Sequence, residues 1–315
     1  MATNNVPPPK NHKIRRLQYD RLKTGMQSSI RKIFDTVISS KGVLDLQIRY
    51  NYFNLYFKGG SQWKVSNISP RSRGMQIVVE TKYFDRKHGI DKDFSWLPGP
   101  KDPLNDWLKT LSRHQVILNG WFEENDNKER QLQHKLSVNH LLHYNSKWVI
   151  LDIEYEAWLH GKKKEKKNVN TRRGCKYDLI GVKRSDLMTS KTLPVYVMEL
   201  KQGNGSITGD SSITSHAEDM QQLIYDKADV RAKNALLDSI RLSFSEKQTL
   251  GLLPNVSGNL LGREIELMPA FILEGVDNTP DLEDQKSKAD EILSAYHSDI
   301  PWLDYDKMIN AKMEV

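Results

Sequence analysis

The spacing of apolar residues changes period along the chain, and each change predicts a different kind of element. Behind a polar arm, residues 1–15, Leu22, Met26, Ile30, Ile33, Phe34 and Val37 recur at helical spacing and predict a helix from Leu17 to Ile38. From Val43 the period falls to two. Leu44, Leu46, Ile48, Tyr50 and Tyr52 alternate with polar residues, Gly59 and Gly60 follow Phe57, and Trp63, Val65 and the stretch 75–80 come next. This pattern predicts an antiparallel meander with a Gly-Gly hairpin turn. Residues 86–105, with Pro98, Gly99, Pro100 and Pro103 among charges, read as a linker. Beyond it the sequence predicts helices at Asp106–Leu118 and Lys128–His143, then strands at Trp148–Trp158, Lys176–Lys183 and Pro194–Lys201. A long helix from Ser215 to Ile240 follows, opened by a capping box of Ser215 and Glu218, then a strand Leu267–Glu274 and a helix Asp281–Tyr296. The expected fold is α/β in two parts: a basic arm plus β-rich region over residues 1–105, and a helix, mixed-sheet, helix unit over 106–315.

Composition narrows this picture. At ~150 residues per domain, 315 residues suit two units; 38% hydrophobic and 28% charged residues exclude wholesale disorder. No apolar run approaches the ~20 residues of a membrane span, and the first ten residues lack an apolar signal core. Cys175 is the single cysteine, which excludes an internal disulfide and a four-thiolate zinc site. A soluble, cytoplasmic protein is expected. The formal charge of +7 favours anionic partners such as nucleic acid.

The candidate chemistry lies on the strand Pro194–Lys201. Side chains alternate across a strand, so Val195, Val197, Glu199 and Lys201 share one face, with Tyr196, Met198 and Leu200 on the other. The preceding strand carries Asp178 among apolar neighbours. Two carboxylates on adjacent strands suit a divalent cation with hard oxygen ligands, and a neighbouring lysine can orient water or neutralise a phosphate. Glu-x-Lys also occurs at Glu80 and Lys82, behind the apolar Ile77–Val79, and at Glu165 and Lys167. Only the pair at 199 and 201 has an Asp-bearing apolar strand upstream and a long helix downstream. On that helix Gln221 and Tyr225 stand four apart and face the same way.

In this order, Asp178, then Glu199-Leu-Lys201, then Gln221-x-x-x-Tyr225, the chain resembles the PD-(D/E)XK nuclease superfamily, in particular its RecB-like group, over about residues 120–275. The resemblance implies a restriction-endonuclease-like core and Mg²⁺ or Mn²⁺ held by Asp178 and Glu199, often with the Leu200 carbonyl. Lys201 is then the catalytic lysine, and Gln221 and Tyr225 line the cleft near the bound strand. It further implies an acidic residue from the helix before the first strand: Glu129 is the choice, with Glu123 and Glu124 as competitors. The implied activity is metal-dependent hydrolysis of DNA, in bacterial or phage defence or DNA processing. RNA as substrate, endo or exo action, and a homo-oligomer or larger complex stay open. The alternative on the same fold is a catalytically inactive nucleic-acid-binding or regulatory subunit.

Other signals rank lower. The segment between Asp178 and Glu199 is expected to hold a surface hairpin. Asp152, Glu154 and Glu156 alternate along one strand face, read as solvated, with Glu154 as reserve ligand. His134, His140 and His143 suit structural or surface roles, and the tryptophans suit a core. Lys162, Lys163 and Lys164, in a basic turn, are expected to contact phosphates without reading sequence. The β-rich region is expected to position a partner, and a fragment from about residue 110 to stay folded.

Overall fold

The structure is a computed structural model that describes residues 14–15, 29–67, 75–80, 83, 93–96, 104–125, 127–160, 172–209, 211–254, 256–297 and 299–312. Most of the polar arm, most of the linker and Lys162, Lys163 and Lys164 lie outside the described residues.

Helix α1 (Ser29–Ser39) leads into an antiparallel meander of β1 (Leu44–Ile48), β2 (Tyr52–Phe57), β3 (Gly60–Asn67), β4 (Met75–Val79) and β5 (Asp93–Trp96), in that spatial order. The turn between β2 and β3 is Lys58-Gly59, where Gly59 has φ +82° and packs so close to the first turn of a later helix that a Cβ would collide with the Arg130 carbonyl. Ile33, Phe34 and Val37 of α1 share a core with Phe53, Trp63 and Val65 of the sheet and with Leu118 and Phe122 of α2 (Leu104–Glu124). This apolar cluster therefore runs past residue 105.

Helix α3 (Lys128–Leu142) precedes the second sheet, whose spatial order is β10-β9-β8-β7-β6. Strands β6 (Trp148–His160), β7 (Arg172–Lys183) and β8 (Thr192–Gln202) form an antiparallel meander. β9 (Glu264–Glu274) adds parallel to β8, and β10 (Trp302–Asp304) parallel to β9. Parallel neighbours need a long crossover; here it runs through α5 (Ile213–Tyr225) and α6 (Val230–Thr249). The helix α7 (Pro280–Ser294) and the short α8 (Tyr305–Asn310) complete the unit.

The alternation predicted for β8 is present and feeds two cores. Val195 and Val197 join Met220, Leu236 and Leu293 of α5, α6 and α7. Tyr196, Met198 and Leu200 join Leu136 of α3 and Met308 of α8. The protein is thus mixed α/β, with the second sheet covered on both faces. Among the described residues, no helix is long and apolar enough to cross a membrane.

Local details depart from expectation. The helix predicted from Ser215 to Ile240 is two helices, because the Asp226 side chain accepts the Ala228 N–H and turns the chain into a single 3₁₀ turn, Lys227–Asp229. Its cap is Ser212, whose hydroxyl accepts the Ser215 N–H, rather than Ser215. The segment between β7 and β8 is a short helix, α4 (Arg184–Thr189), not a hairpin. Trp63 and Trp148 are core residues, whereas Trp158 is exposed.

Candidate active site

The ladder between β7 and β8 pairs Gly181 with Tyr196, Ile180 with Val197 and Leu179 with Met198, and ends there. One residue further, the Asp178 carboxylate takes over the role of the ladder: its Oδ2 accepts the Leu200 N–H at 2.8 Å. Its Oδ1 accepts from Gln133 Nε2 on α3, also at 2.8 Å, and the same amide lies 3.4 Å from Glu129 Oε1. Glu199 and Lys201 continue β8 beyond the last pair, buried at 5% and 3% exposure. Lys201 Nζ donates to Glu199 Oε1 at 3.0 Å and to the Ser211 carbonyl at 2.9 Å. His216 Nε2, from the first turn of α5, lies 3.0 Å from the same Glu199 Oε1. Glu199 Oε2 is buried and has no hydrogen-bond partner among the described residues.

Charge is out of balance here. Burial, then the neighbouring Glu129, push the Asp178 carboxyl up to about 7, against the opposing pull of the Leu200 N–H and Lys201. Burial, then Asp178, hold Glu199 well above the usual carboxylate range despite its bond to Lys201. Glu129 is raised by burial, with Lys201 and Arg130 pulling the other way. Among the described residues, three carboxyl groups gather around Lys201, with Arg130 acting on Glu129 alone. A buried set of this kind stabilises added positive charge.

Among the described residues, no three His, Cys, Asp or Glu side chains form a ready-made metal cage. Mg²⁺ does not require one, since it is commonly held by one or two carboxylates, with water and substrate phosphate completing its shell. The orphaned Glu199 Oε2 and the hard oxygens of Asp178 fit such a cation.

Of the residues predicted from sequence, the structure brings Asp178, Glu199, Lys201 and Glu129 together. Glu123 and Glu124 are exposed at the end of α2. Glu80 is exposed after β4. Leu200 is wholly buried, with its N–H on Asp178. Gln221 and Tyr225 are placed elsewhere. Gln221 donates to the Ile292 carbonyl of α7, and Tyr225 stacks on Tyr296 with ring centroids 4.0 Å apart. Both line a 560 Å³ cavity with His160 and Lys227, to which none of the four clustered residues contributes. Tyr225 lies nine residues from His216, about 13 Å along the α5 axis.

The solvated face expected for Asp152, Glu154 and Glu156 is not observed as such. A register shift between Ile150 and Asp152 breaks the alternation. Asp152 is buried between Arg15 and Arg49, and only Glu156 is exposed. Glu154 has φ +47° and sits between the pairs Ile153↔Leu179 and Tyr155↔Tyr177, across from Asp178. Its carboxylate is held by Arg130 at 3.1 Å, with the Tyr56 hydroxyl at 3.4 Å, so it is engaged by protein groups. His134 and His140 are buried in structural positions, and burial lowers His140 to about 3.

Two site residues escaped the sequence reading. Gln133 carries a legible signal: it stands four residues after Glu129, on the same helix face. His216 carries none beyond lying in the first turn of the helix after β8. Comparisons with protein-family models, curated proteins and solved structures give no match for this chain.

Proposed function

We propose that the protein is a metal-dependent nuclease that hydrolyses DNA phosphodiester bonds. The observation that carries this reading is the imbalance at the end of the β7–β8 ladder: Asp178, Glu199 and Glu129 gather around Lys201, and one Glu199 oxygen is buried without a partner among the described residues. Support also comes from the element order, in which α3, a three-stranded meander, the α5–α6 crossover and a parallel strand give a helix, mixed-sheet, helix arrangement.

Asp178 and Glu199 would hold Mg²⁺ or Mn²⁺, with the Leu200 carbonyl as a further oxygen ligand. When bound, such a cation supplies Lewis-acid activation of the phosphate and a nucleophilic water at neutral pH. The remaining work falls to the chain. Lys201 has three ammonium donors and uses two on Glu199 and Ser211, so the third serves the attacking water or a phosphate oxygen. Gln133 ties Asp178 to α3, and Leu200 N–H fixes its second oxygen.

The test is cleavage of single-stranded and duplex DNA, with RNA in parallel, by the full chain in Mg²⁺ or Mn²⁺ and in EDTA. Metal-dependent cleavage that EDTA abolishes and Glu199→Gln removes is expected. Binding of DNA without cleavage under any metal would overturn the enzyme reading in favour of an inactive binding subunit.

A further inference from the structure

The two oxygens of Glu199 have different surroundings. Oε1 accepts from Lys201 Nζ at 3.0 Å, and His216 Nε2 lies 3.0 Å from the same oxygen. Oε2 is buried and has no partner among the described residues. The terminal torsion of a glutamate is broad and roughly two-fold, so rotamer preference alone does not choose which oxygen faces the acid cluster. An ammonium donor and an imidazole nitrogen packed against the same oxygen do choose. A single bond from Lys201 leaves the carboxylate free to rotate about that bond.

His216 is well anchored for this task. It rises from the first turn of α5, which Ser212 caps and which the Gln285 side chain grips through the Thr214 N–H and hydroxyl. The lysine is tied to the same place, since Lys201 Nζ donates to the Ser211 carbonyl just before the helix. The start of α5 therefore holds Glu199 from two directions.

We infer that His216 is a positioning residue that fixes Glu199 so that Oε2 is the cation-facing oxygen. This assignment rests on the nuclease reading and deepens it. Partners that orient a metal-binding carboxylate typically change metal affinity by about 10–100-fold when removed. Loss of His216 acts in the same way, by freeing the carboxylate rather than by deleting a ligand.

The measurement is Mn²⁺ and Mg²⁺ binding to the full chain without nucleic acid, by calorimetry and by Mn²⁺ electron paramagnetic resonance. Wild type is compared with His216→Ala, His216→Gln and His216→Ala in added imidazole, with Tm measured alongside. His216→Ala is expected to lose about 10–100-fold in affinity. His216→Gln, which keeps an N–H donor, and imidazole added to His216→Ala should each recover part of that loss. A merely structural role would not respond to imidazole. Wild-type affinity in His216→Ala would overturn this assignment alone, as would equal losses in both variants without rescue. If His216→Ala fails to fold, His216→Gln decides: donor retention predicts affinity nearer to wild type, and a full loss overturns the assignment. Absence of metal binding in wild type would overturn the nuclease reading and this assignment together.

Discussion

At the seam between the two sheets, Asp152 lies between Arg15 and Arg49, each 2.6 Å from a separate carboxylate oxygen. Beside it Lys247 donates to Gln47 and to the Leu151 carbonyl, and Asp45 accepts from Gln47 and Ser137. Nearby, at the end of the β7–β8 ladder, the buried Glu199 and the half-buried Asp178 and Glu129 gather around the buried Lys201. The same residue types reach opposite electrostatic states. Burial acts to raise Asp152, but Arg15, Arg49 and Lys247 outweigh it and hold the carboxyl below its usual value. At the ladder end, burial and carboxylate repulsion outweigh Lys201, and Asp178 and Glu199 rise. The seam is a closed charge network, and the ladder end is an open one. A closed network stabilises the fold; an open one is held in place by the fold and is suited to receive a cation.

The largest effect expected from this contrast is on folding. Deleting residues 1–109 removes Arg15, Arg49, Gln47 and Asp45 together, which strips Asp152 of both arginines and Lys247 of Gln47 on the β6–α6 surface. Leaving one buried ionic partner uncompensated costs about 3–5 kcal/mol, and the shared apolar seam is exposed as well. The fragment expected from sequence to stay folded should therefore lose its cooperative thermal transition in calorimetry. A fragment that melts like the full chain would show that the seam is dispensable.

Next in size is chemistry. On the proposed nuclease reading, Lys201→Ala should lower single-turnover cleavage by about 10²–10³ with little change in DNA affinity, because that reading gives Lys201 a role in the chemistry rather than in binding. Wild-type cleavage by that variant would make Lys201 a buried structural lysine like Lys247.

A smaller effect is the pH dependence of stability without metal. Asp178 has a folded pKa of about 7, above the unfolded carboxylate value of ~3.9. The folded state therefore binds more protons between these values, and stability falls as pH rises through about 7. Buried histidines such as His140, lowered to about 3, add the opposite slope below the unfolded histidine value. That part cancels when wild type is compared with Asp178→Asn. In EDTA, the difference in unfolding free energy between the two should grow in favour of the variant from pH 5 to pH 8. A flat difference would mean that Asp178 is not strained.

Much of the open network was legible because it is local. The alternation of β8 puts Glu199 and Lys201 on one face, and the apolar run around Asp178 marks the adjacent strand. The closed network was not, because its partners come from far along the chain: Arg15 meets Asp152 across 137 residues and Arg49 meets it across 103. Periodicity assigns faces and says nothing about partners. It also misassigned the face, since the register shift before Asp152 turns that side chain into the seam. The break at Asp226 was hidden for a related reason, because a side-chain bond to Ala228 ended a helix whose apolar spacing continues. His216 reaches Glu199 only through the packing of α5 onto the sheet.

The most direct test is the sign of two matched substitutions, Asp152→Asn and Asp178→Asn, in urea unfolding of the full chain in EDTA at pH 8. Asp152→Asn should destabilise by about 3–5 kcal/mol, because Arg15 and Arg49 lose their counter-charge. Asp178→Asn should stabilise, on the scale of ~1.4 kcal/mol per unit of relieved pKa shift, since Leu200 N–H keeps an acceptor and Gln133 can turn its amide to face the new one. Adding Mg²⁺ should then stabilise wild type and not Asp178→Asn. Destabilisation by both substitutions, with no response to Mg²⁺, would contradict the account and make the ladder-end cluster a second structural network.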